Sequence, residues 1–135
     1  MKRILVILAI VLGCTGLSFT LIVSQKSKPW PVPESFKKMK NAVVSNPASI
    51  AEGKALYNTH CKSCHGTKGL GDGPKAAQLD TESGDFSKAS FQSQTDGEIL
   101  YKTVEGRDDM PSYKKKLPDV NEQWSVINYM RTFKK

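Results

Sequence analysis

The side chains best suited to chemistry lie in residues 61–65, Cys-Lys-Ser-Cys-His, which have the pattern C-x-x-C-H. This pattern is typical of covalent haem attachment. Each thiol adds across one vinyl group of the porphyrin, and the histidine that follows is placed to ligate the iron from one side. The C-x-x-C part also occurs in redox-active thiol proteins and in half-sites for zinc, so the pentapeptide alone leaves these alternatives open.

A haem iron that transfers electrons needs both axial positions filled, and a histidine–methionine pair raises its reduction potential relative to two histidines. The chain contains two histidines and four methionines. His60 directly precedes the motif and is tied to the same side of the ring as His65. Two methionines lie within residues 1–45, and Met130 fits the apolar stripe of a helix. Met110 is therefore the predicted second ligand, and the alternative is a methionine buried in a loop.

Length and charge exclude several classes of protein. The 135 residues are enough for one domain, and three cysteines are too few for a disulfide scaffold. A formal net charge of +7 raises the question of a nucleic-acid partner. From Pro47 onward, however, thirteen basic residues stand against twelve acidic ones, so the excess lies near the N-terminus. We expect no nucleic-acid partner.

Residues 1–23 have the composition of a membrane segment. A short basic start precedes twenty mostly apolar residues, 4–23, which are long enough to span a bilayer as a helix. Three interpretations stay open: an uncleaved signal-anchor, a lipoprotein signal with lipidation at Cys14, and a cleaved signal peptide. The lysines that follow this apolar run favour a cytoplasmic location for the chain after it. Covalent haem attachment is extracytoplasmic, so we expect the haem domain on the periplasmic face.

Residues 24–45 are predicted to form a tether that contains prolines and lysines. The alternating prolines of residues 28–33 favour an extended polyproline conformation. Trp30 lies in this stretch, and either the lipid headgroups or the domain itself could receive its ring.

Three helices are predicted in the globular part, residues 46–135, and no strand pattern stands out. The first is capped by Asn46 or by a capping box formed by Ser49 and Glu52, and the second by a box formed by Thr95 and Glu98. The predicted helices cover residues 47–59, 96–105 and 120–133, and the apolar stripe of the third is Val120, Trp124, Ile127 and Met130.

From residue 46 to its end, the chain resembles a class I bacterial c-type cytochrome. The resemblance is carried by residues 61–66 (C-K-S-C-H-G), residues 69–74 (G-L-G-D-G-P) and the pair Met110-Pro111, in the family's order. It implies an all-α, small cytochrome c fold, in which three main helices and ordered loops wrap around one covalently bound haem. The predicted membrane segment precedes this domain.

The resemblance also implies the role of each site residue. Cys61 and Cys64 would attach one haem c, and His65 and Met110 would be the proximal and distal ligands of its iron. The carbonyl of Pro74 would accept a hydrogen bond from the other nitrogen of His65 and so orient the ring.

A helix contact is implied as well, in which Gly53 and Tyr57 of the first helix meet Tyr129 of the last. The glycine would let the two backbones approach closely.

We therefore expect a membrane-tethered monohaem cytochrome that passes single electrons between respiratory-chain partners, such as a quinol-oxidising complex and a terminal oxidase. An iron with both axial positions filled leaves no site for a small-molecule substrate, so we expect no enzyme. Two alternatives stay open: a subunit of a larger quinol-oxidising or terminal-oxidase complex, and a haem enzyme or sensor in which Met110 is displaceable. Residues 114–116, three lysines, either face an acidic partner or form a solvated loop.

Overall fold

The computed structural model describes residues 29–135, so the predicted membrane segment, residues 1–23, and the start of the predicted tether lie outside the described residues. The described part is mostly helical, and it contains no strand beyond an isolated bridge between Arg107 and Met110. No helix within these residues has both the length and the apolar character needed to cross a bilayer. The prediction of an all-α fold is confirmed for this part. The helices are α1 (Glu34–Lys37), α2 (Pro47–His60), α3 (Lys62–His65), α4 (Ala89–Gln92), α5 (Asp96–Glu105) and α6 (Val120–Arg131), with a 3-10 turn over Ala76–Gln78.

Helices α2 and α5 begin where their local signals predict. The side chain of Asn46 accepts two backbone N–H groups, and the Ser49 hydroxyl accepts the N–H of Asn46. Asn46 is thus the cap of α2, and the alternative box of Ser49 with Glu52 is not formed. At α5 the predicted box is present, because Thr95 and Glu98 each accept the backbone N–H of the other.

Helix α6 is shorter than predicted, and its apolar stripe is incomplete. Its N-cap is Asp119, and it ends at Arg131 instead of residue 133. The later stripe residues of the prediction, from Trp124 onward, are buried, but Val120 is 49% exposed. The first turn of α6 extends past the core, so a position that is apolar by periodicity faces solvent there.

The centre of the fold is the crossing of α2 and α6. A Cβ atom on Gly53 would lie 1.9 Å from the carbonyl oxygen of Ser125, so the two backbones are in direct contact. Tyr57, which is fully buried, packs edge-on against Tyr129 with 5.3 Å between the ring centroids. The predicted contact of Gly53 and Tyr57 with Tyr129 is present.

The residues before α2 lie along the domain, and we call residues 29–45 the strap. Val32 is 8% exposed, and the ring of Phe36 meets Tyr101 of α5 edge-on at 5.0 Å. The backbones are close here too, because a Cβ on Gly97 would lie 1.9 Å from the carbonyl oxygen of Phe36. From residue 29 onward, the predicted tether therefore runs over the domain surface.

A buried asparagine of α6 ties the end of the strap to the core. Asn128 is 5% exposed. Its Oδ1 accepts a hydrogen bond from Asn41 Nδ2 at 2.9 Å, and its Nδ2 donates to the carbonyl oxygen of Val43 at 3.1 Å. A buried amide without partners is costly, so these bonds couple the strap to the stability of α6.

Candidate functional site

The C-x-x-C-H residues form one helical turn directly after α2. The N–H of Cys61 donates to the carbonyl oxygen of Tyr57 at 2.8 Å, which continues the path of α2. The N–H groups of Cys64 and His65 then donate to the carbonyl oxygen of Cys61, at 3.2 and 3.0 Å. Residues three and four positions apart share one face of a helical turn. The turn therefore presents Cys61, Cys64 and His65 on the same side.

The glycine-rich loop that follows folds back onto this turn. Three of its backbone N–H groups donate to three consecutive carbonyl oxygens of the motif: Lys75 to Ser63 at 2.8 Å, Gly73 to Cys64 at 3.1 Å, and Gly71 to His65 at 3.0 Å. A Cβ on Gly73 would lie 2.5 Å from the carbonyl oxygen of Ser63, so a larger residue would push the loop away. The loop thus fixes the backbone that carries the cysteines and the histidine.

Two tyrosine hydroxyls hold the ends of the motif. Tyr57 donates to the carbonyl oxygen of Gly66 at 2.8 Å, and Tyr113 donates to that of His60 at 2.6 Å. Burial raises the pKa of Tyr113 to about 12 and also raises the pKa of Tyr57. Both hydroxyls therefore remain protonated donors at neutral pH. Tyr113 was not predicted as a site residue, and its place three residues after Met110 is the sequence signal that could have indicated it.

His65 lies against a stack of aromatic rings. Its imidazole is 4.5 Å from the ring of Phe86, centroid to centroid, and Phe86 is stacked on Phe91 at 4.3 Å. Burial lowers the pKa of His65 to about 4, and the nearby backbone of Ser83 opposes this shift. The imidazole is consequently neutral at physiological pH, which is the form that ligates a metal ion.

The second nitrogen of His65 has no partner in this structure. Nδ1 is buried and makes no hydrogen bond within residues 29–135. The bond to the carbonyl of Pro74, implied by the resemblance, is therefore not formed here, although Pro74 belongs to the loop that folds onto the motif. It stays a prediction for the ligated ring.

Met110 lies at the end of a tight turn, residues 107–110, which we call the Met110 hairpin. The N–H of Arg107 donates to the carbonyl oxygen of Met110 at 2.8 Å, and the N–H of Met110 donates to that of Arg107 at 2.9 Å. Between them, Asp108 has a φ of +53°, a conformation that aspartate tolerates better than most residues. Met110 is half-buried and packs on the core cluster that contains Cys61 and Tyr113. The fold thus brings Met110 to the same core as the first cysteine of the motif.

Contacts on both sides hold the Met110 hairpin in place. On one side, a Cβ on Gly106 would lie 2.4 Å from the carbonyl oxygen of Met110. On the other side, Asp109 Oδ2 accepts the N–H of Thr81 at 2.9 Å. Just after the hairpin, Ser112 Oγ donates to a carbonyl oxygen of α5 at 2.6 Å. These contacts restrain the backbone that carries Met110.

Residues 50–134, which contain the motif, its folded-back loop and the Met110 hairpin, match the model of the family described as Cytochrome c. The chain belongs to the cytochrome c family. The prediction of a class I c-type cytochrome is thereby confirmed. No curated protein sequence matches this cytochrome.

Two solved structures are similar to this cytochrome. The KustC0563 c-type cytochrome is 32% identical with a TM-score of 0.54, over 62% of this chain and 98% of that one. A chain of the Kuenenia stuttgartiensis reducing HAO-like protein complex Kustc0457/Kustc0458 is 23% identical with a TM-score of 0.64, over 81% of this chain and 52% of that one. This cytochrome spans about half the length of that second chain, and the second likeness concerns the fold alone.

The cytochrome binds haem c covalently through Cys61 and Cys64. The residues fit this group, because both thiols are free and share one turn with a neutral histidine whose Nδ1 has no partner among residues 29–135. The same part of the chain contains no group of three or more His, Cys, Asp or Glu side chains that could hold a metal ion without a cofactor.

The environment of Cys61 argues against a role in disulfide exchange. Burial, and then the charge of Cys64, raises the pKa of the Cys61 thiol to about 12. Thiol–disulfide enzymes need the opposite shift, because the thiolate is the reacting form. A thiol that stays protonated at neutral pH is a poor redox centre.

Proposed function

We propose that this electron-transfer haem protein is a membrane-tethered, monohaem carrier of single electrons between respiratory-chain partners, with His65 and Met110 as its axial iron ligands. When bound, the haem supplies the iron that is oxidised and reduced. One observation carries the proposal: residues distant in sequence meet on one core cluster. His65 stacks on Phe86, a member of that cluster, and Met110 packs against the same cluster, to which Cys61 also belongs.

The bracing of the Met110 hairpin supports a carrier over an enzyme. A haem enzyme or sensor needs an open or easily vacated axial position. Here the contacts of Gly106, Thr81 and Ser112 restrain the hairpin on several sides. A restrained backbone at Met110 would favour a filled sixth position, so the proposed chemistry is outer-sphere electron transfer without a small-molecule substrate.

Positive charge near the attachment motif supports docking to an acidic redox partner. Lys114 pairs with Glu105 at 2.6 Å, and Lys116 Nζ lies 5.2 Å from the ring centroid of Tyr113. Tyr113 in turn reaches the carbonyl of His60, next to the first cysteine. Glu105 offsets the charge of Lys114, so the exposed Lys115 and Lys116 supply the positive charge that would speed the encounter with an acidic face. The proposed partners are a quinol-oxidising complex and a terminal oxidase.

The apolar run of residues 4–23 supports the membrane tether. With covalent haem attachment outside the cytoplasm, the haem domain would lie on the periplasmic face. A transmembrane anchor and a lipidated Cys14 would both confine the carrier to the membrane surface and raise its effective concentration near membrane partners.

The experiment that tests the ligands compares two methionines in the full-length holoprotein. Met110→Leu and Met39→Leu remove one thioether each at similar volume, and Met39 is 40% exposed on the strap. We expect the parent and Met39→Leu to give low-spin c-type spectra and to be inert to carbon monoxide when reduced at neutral pH. Met110→Leu should become high-spin and bind carbon monoxide.

The opposite results would overturn parts of the proposal. A Met110→Leu protein that stays low-spin would mean that another side chain is the sixth ligand. Carbon monoxide binding by the parent would favour the sensor or enzyme. Alkaline extraction of membranes containing the parent tests the tether, and release of the parent contradicts it. The mass of the retained parent identifies the anchor: a lipid anchor leaves a chain that begins at a lipidated Cys14, and a transmembrane anchor leaves a chain that keeps residues 4–23.

A further inference from the structure

The strap contacts the Met110 hairpin through one aromatic residue. Arg107, the first residue of the hairpin, places its guanidinium carbon 4.4 Å from the ring centroid of Trp30. Its Nη1 also donates to the carbonyl oxygen of Pro29 at 3.0 Å. Lys102 of α5 brings a second cation to the same ring, at 5.8 Å. A cation within about 6 Å of an indole face is attracted by the electrons of the ring.

Arg107 is coupled to Met110 through the backbone. The two residues exchange both of their backbone hydrogen bonds, at 2.8 and 2.9 Å. Asp108 completes the turn in a left-handed conformation, with a φ of +53°. A turn this short cannot move Arg107 without moving Met110, so a contact that holds the arginine also holds the methionine.

The strap is anchored independently of this contact. The ring of Phe36 packs on Tyr101. The carbonyl oxygen of Phe36 lies against Gly97, where a Cβ atom would be only 1.9 Å from it. Further along, Asn41 bonds to the buried Asn128. Trp30 therefore stands on a segment fixed to α5 and α6, and it can restrain the hairpin from there.

We propose that the strap braces the Met110 hairpin, with Trp30 and Arg107 as positioning residues that keep Met110 in place to ligate the iron. This inference rests on the ligation proposed above. Without the contact, the hairpin opens more often and Met110 leaves the iron more often. The N-terminal segment thereby controls how firmly the sixth position is filled.

The size of the effect follows from the contacts that are lost. Trp30→Ala removes a cation–π contact between two half-buried side chains and leaves the Pro29 carbonyl in place, and the loss of such a contact amounts to about a tenfold change in the open population. Imidazole binds the ferric iron where Met110 has left it. Its apparent affinity therefore scales with the open fraction.

The test uses the full-length ferric holoprotein at neutral pH, with imidazole as the probe. We expect Trp30→Ala to bind imidazole about tenfold more tightly than the parent, and Trp30→Phe, which keeps an aromatic face, to lie between them. Val44→Ala is the matched control, because Val44 is in the same strap and is 76% exposed. Its imidazole affinity should equal that of the parent.

Amide hydrogen exchange separates failure of this inference from failure of the ligation. The N–H groups of Arg107 and Met110 should exchange about tenfold faster in Trp30→Ala, whichever residue ligates the iron. A double-mutant cycle of Trp30→Ala with Arg107→Ala should be non-additive, since the two side chains touch. Unchanged exchange in Trp30→Ala, or strict additivity, would overturn the bracing. A parent without a sulfur-to-iron charge-transfer band would overturn the ligation alone.

Discussion

Gly106→Ala should displace Met110 from the iron while leaving the attachment of haem intact. Gly106 has a φ of 70° and a ψ of 170°, a region that is essentially restricted to glycine, and an alanine there costs about 1–3 kcal/mol. Its Cβ would also lie 2.4 Å from the carbonyl oxygen of Met110 and 2.6 Å from the nitrogen of Ser112, where ordinary contacts are 3.4–4 Å. Relief requires the hairpin to shift by roughly 1 Å, and such overpacking costs about another 1–3 kcal/mol.

The assay is the far-red sulfur-to-iron band of the ferric protein, with carbon monoxide binding by the ferrous protein as a second readout. We expect Gly106→Ala to lose the band and to bind carbon monoxide. Gly84→Ala is the control, because Gly84 also has a positive φ, 72°, but a Cβ there meets nothing within 4 Å. It should be destabilised by about 1 kcal/mol and keep the band. If Gly106→Ala kept the sulfur-to-iron band and did not bind carbon monoxide, the claim that the close contact at Gly106 positions Met110 would be refuted.

Three further predictions concern the stability of the haem-loaded protein, the first two in the full-length chain and the third in two shortened chains. Gly53→Ala should lower the free energy of unfolding by about 2 kcal/mol: overpacking costs about 3 kcal/mol where its Cβ would lie 1.9 Å from the Ser125 carbonyl oxygen, and the better helix propensity of alanine offsets about 1 kcal/mol of this. Tyr113→Phe removes the 2.6 Å bond to His60 and should cost about 1–2 kcal/mol at neutral pH. Burial raises the pKa of Tyr113 from 10.0 to about 12, so the stability from its protonated hydroxyl is complete below pH 10 and is lost as the pH rises through 12. A chain that begins at residue 46 should unfold several kcal/mol more easily than one that begins at residue 29, because the buried Asn128 loses its strap partners.

Denaturant unfolding followed by circular dichroism measures all three. For Gly53→Ala the control is Ala55→Gly on the exposed face of α2, and a stabilised Gly53→Ala would contradict the close crossing of the helices. For Tyr113→Phe the control is Tyr101→Phe, and the parent should lose its advantage over Tyr113→Phe between pH 10 and 12. If the parent instead became more stable relative to Tyr113→Phe between pH 10 and 12, the pKa of Tyr113 could not be raised in the folded protein. Equal stability of the two shortened chains would mean that the strap contributes nothing to the fold.

The sequence predicts those features that short-range chemistry determines. Capping by Asn46 and by Thr95 with Glu98 is local, so the starts of α2 and α5 are correct. The motif of residues 61–65 and the loop that follows are likewise contiguous, and their residue types indicate haem c directly. The prediction that Val120 is part of the buried stripe is wrong, because periodicity identifies one face of a helix but does not indicate where the element that covers this face ends.

The sequence alone does not indicate whether the strap packs on the domain, because Trp30 could face either the lipid headgroups or the domain. Two of the strap's partners, Arg107 and Asn128, lie more than seventy residues away from the strap residues that they contact, and no short-range pattern connects them. Gly97 carried a usable signal. A glycine inside a helix costs about 1 kcal/mol, so its presence in α5 indicates that another backbone approaches closely. The structure places Phe36 there.

If residues 4–23 span the bilayer as proposed, the docked strap shortens the distance that the haem domain can reach from the membrane. With the predicted span ending at Val23, five residues, 24–28, separate it from the strap, and fully extended they cover roughly 17 Å. A free tether of residues 24–45 would cover about 75 Å. A carrier with so short a transmembrane tether could not move between complexes far from its anchor, and it would diffuse laterally within the layer next to the bilayer. Its donor and acceptor would have to present their docking faces at that same low height.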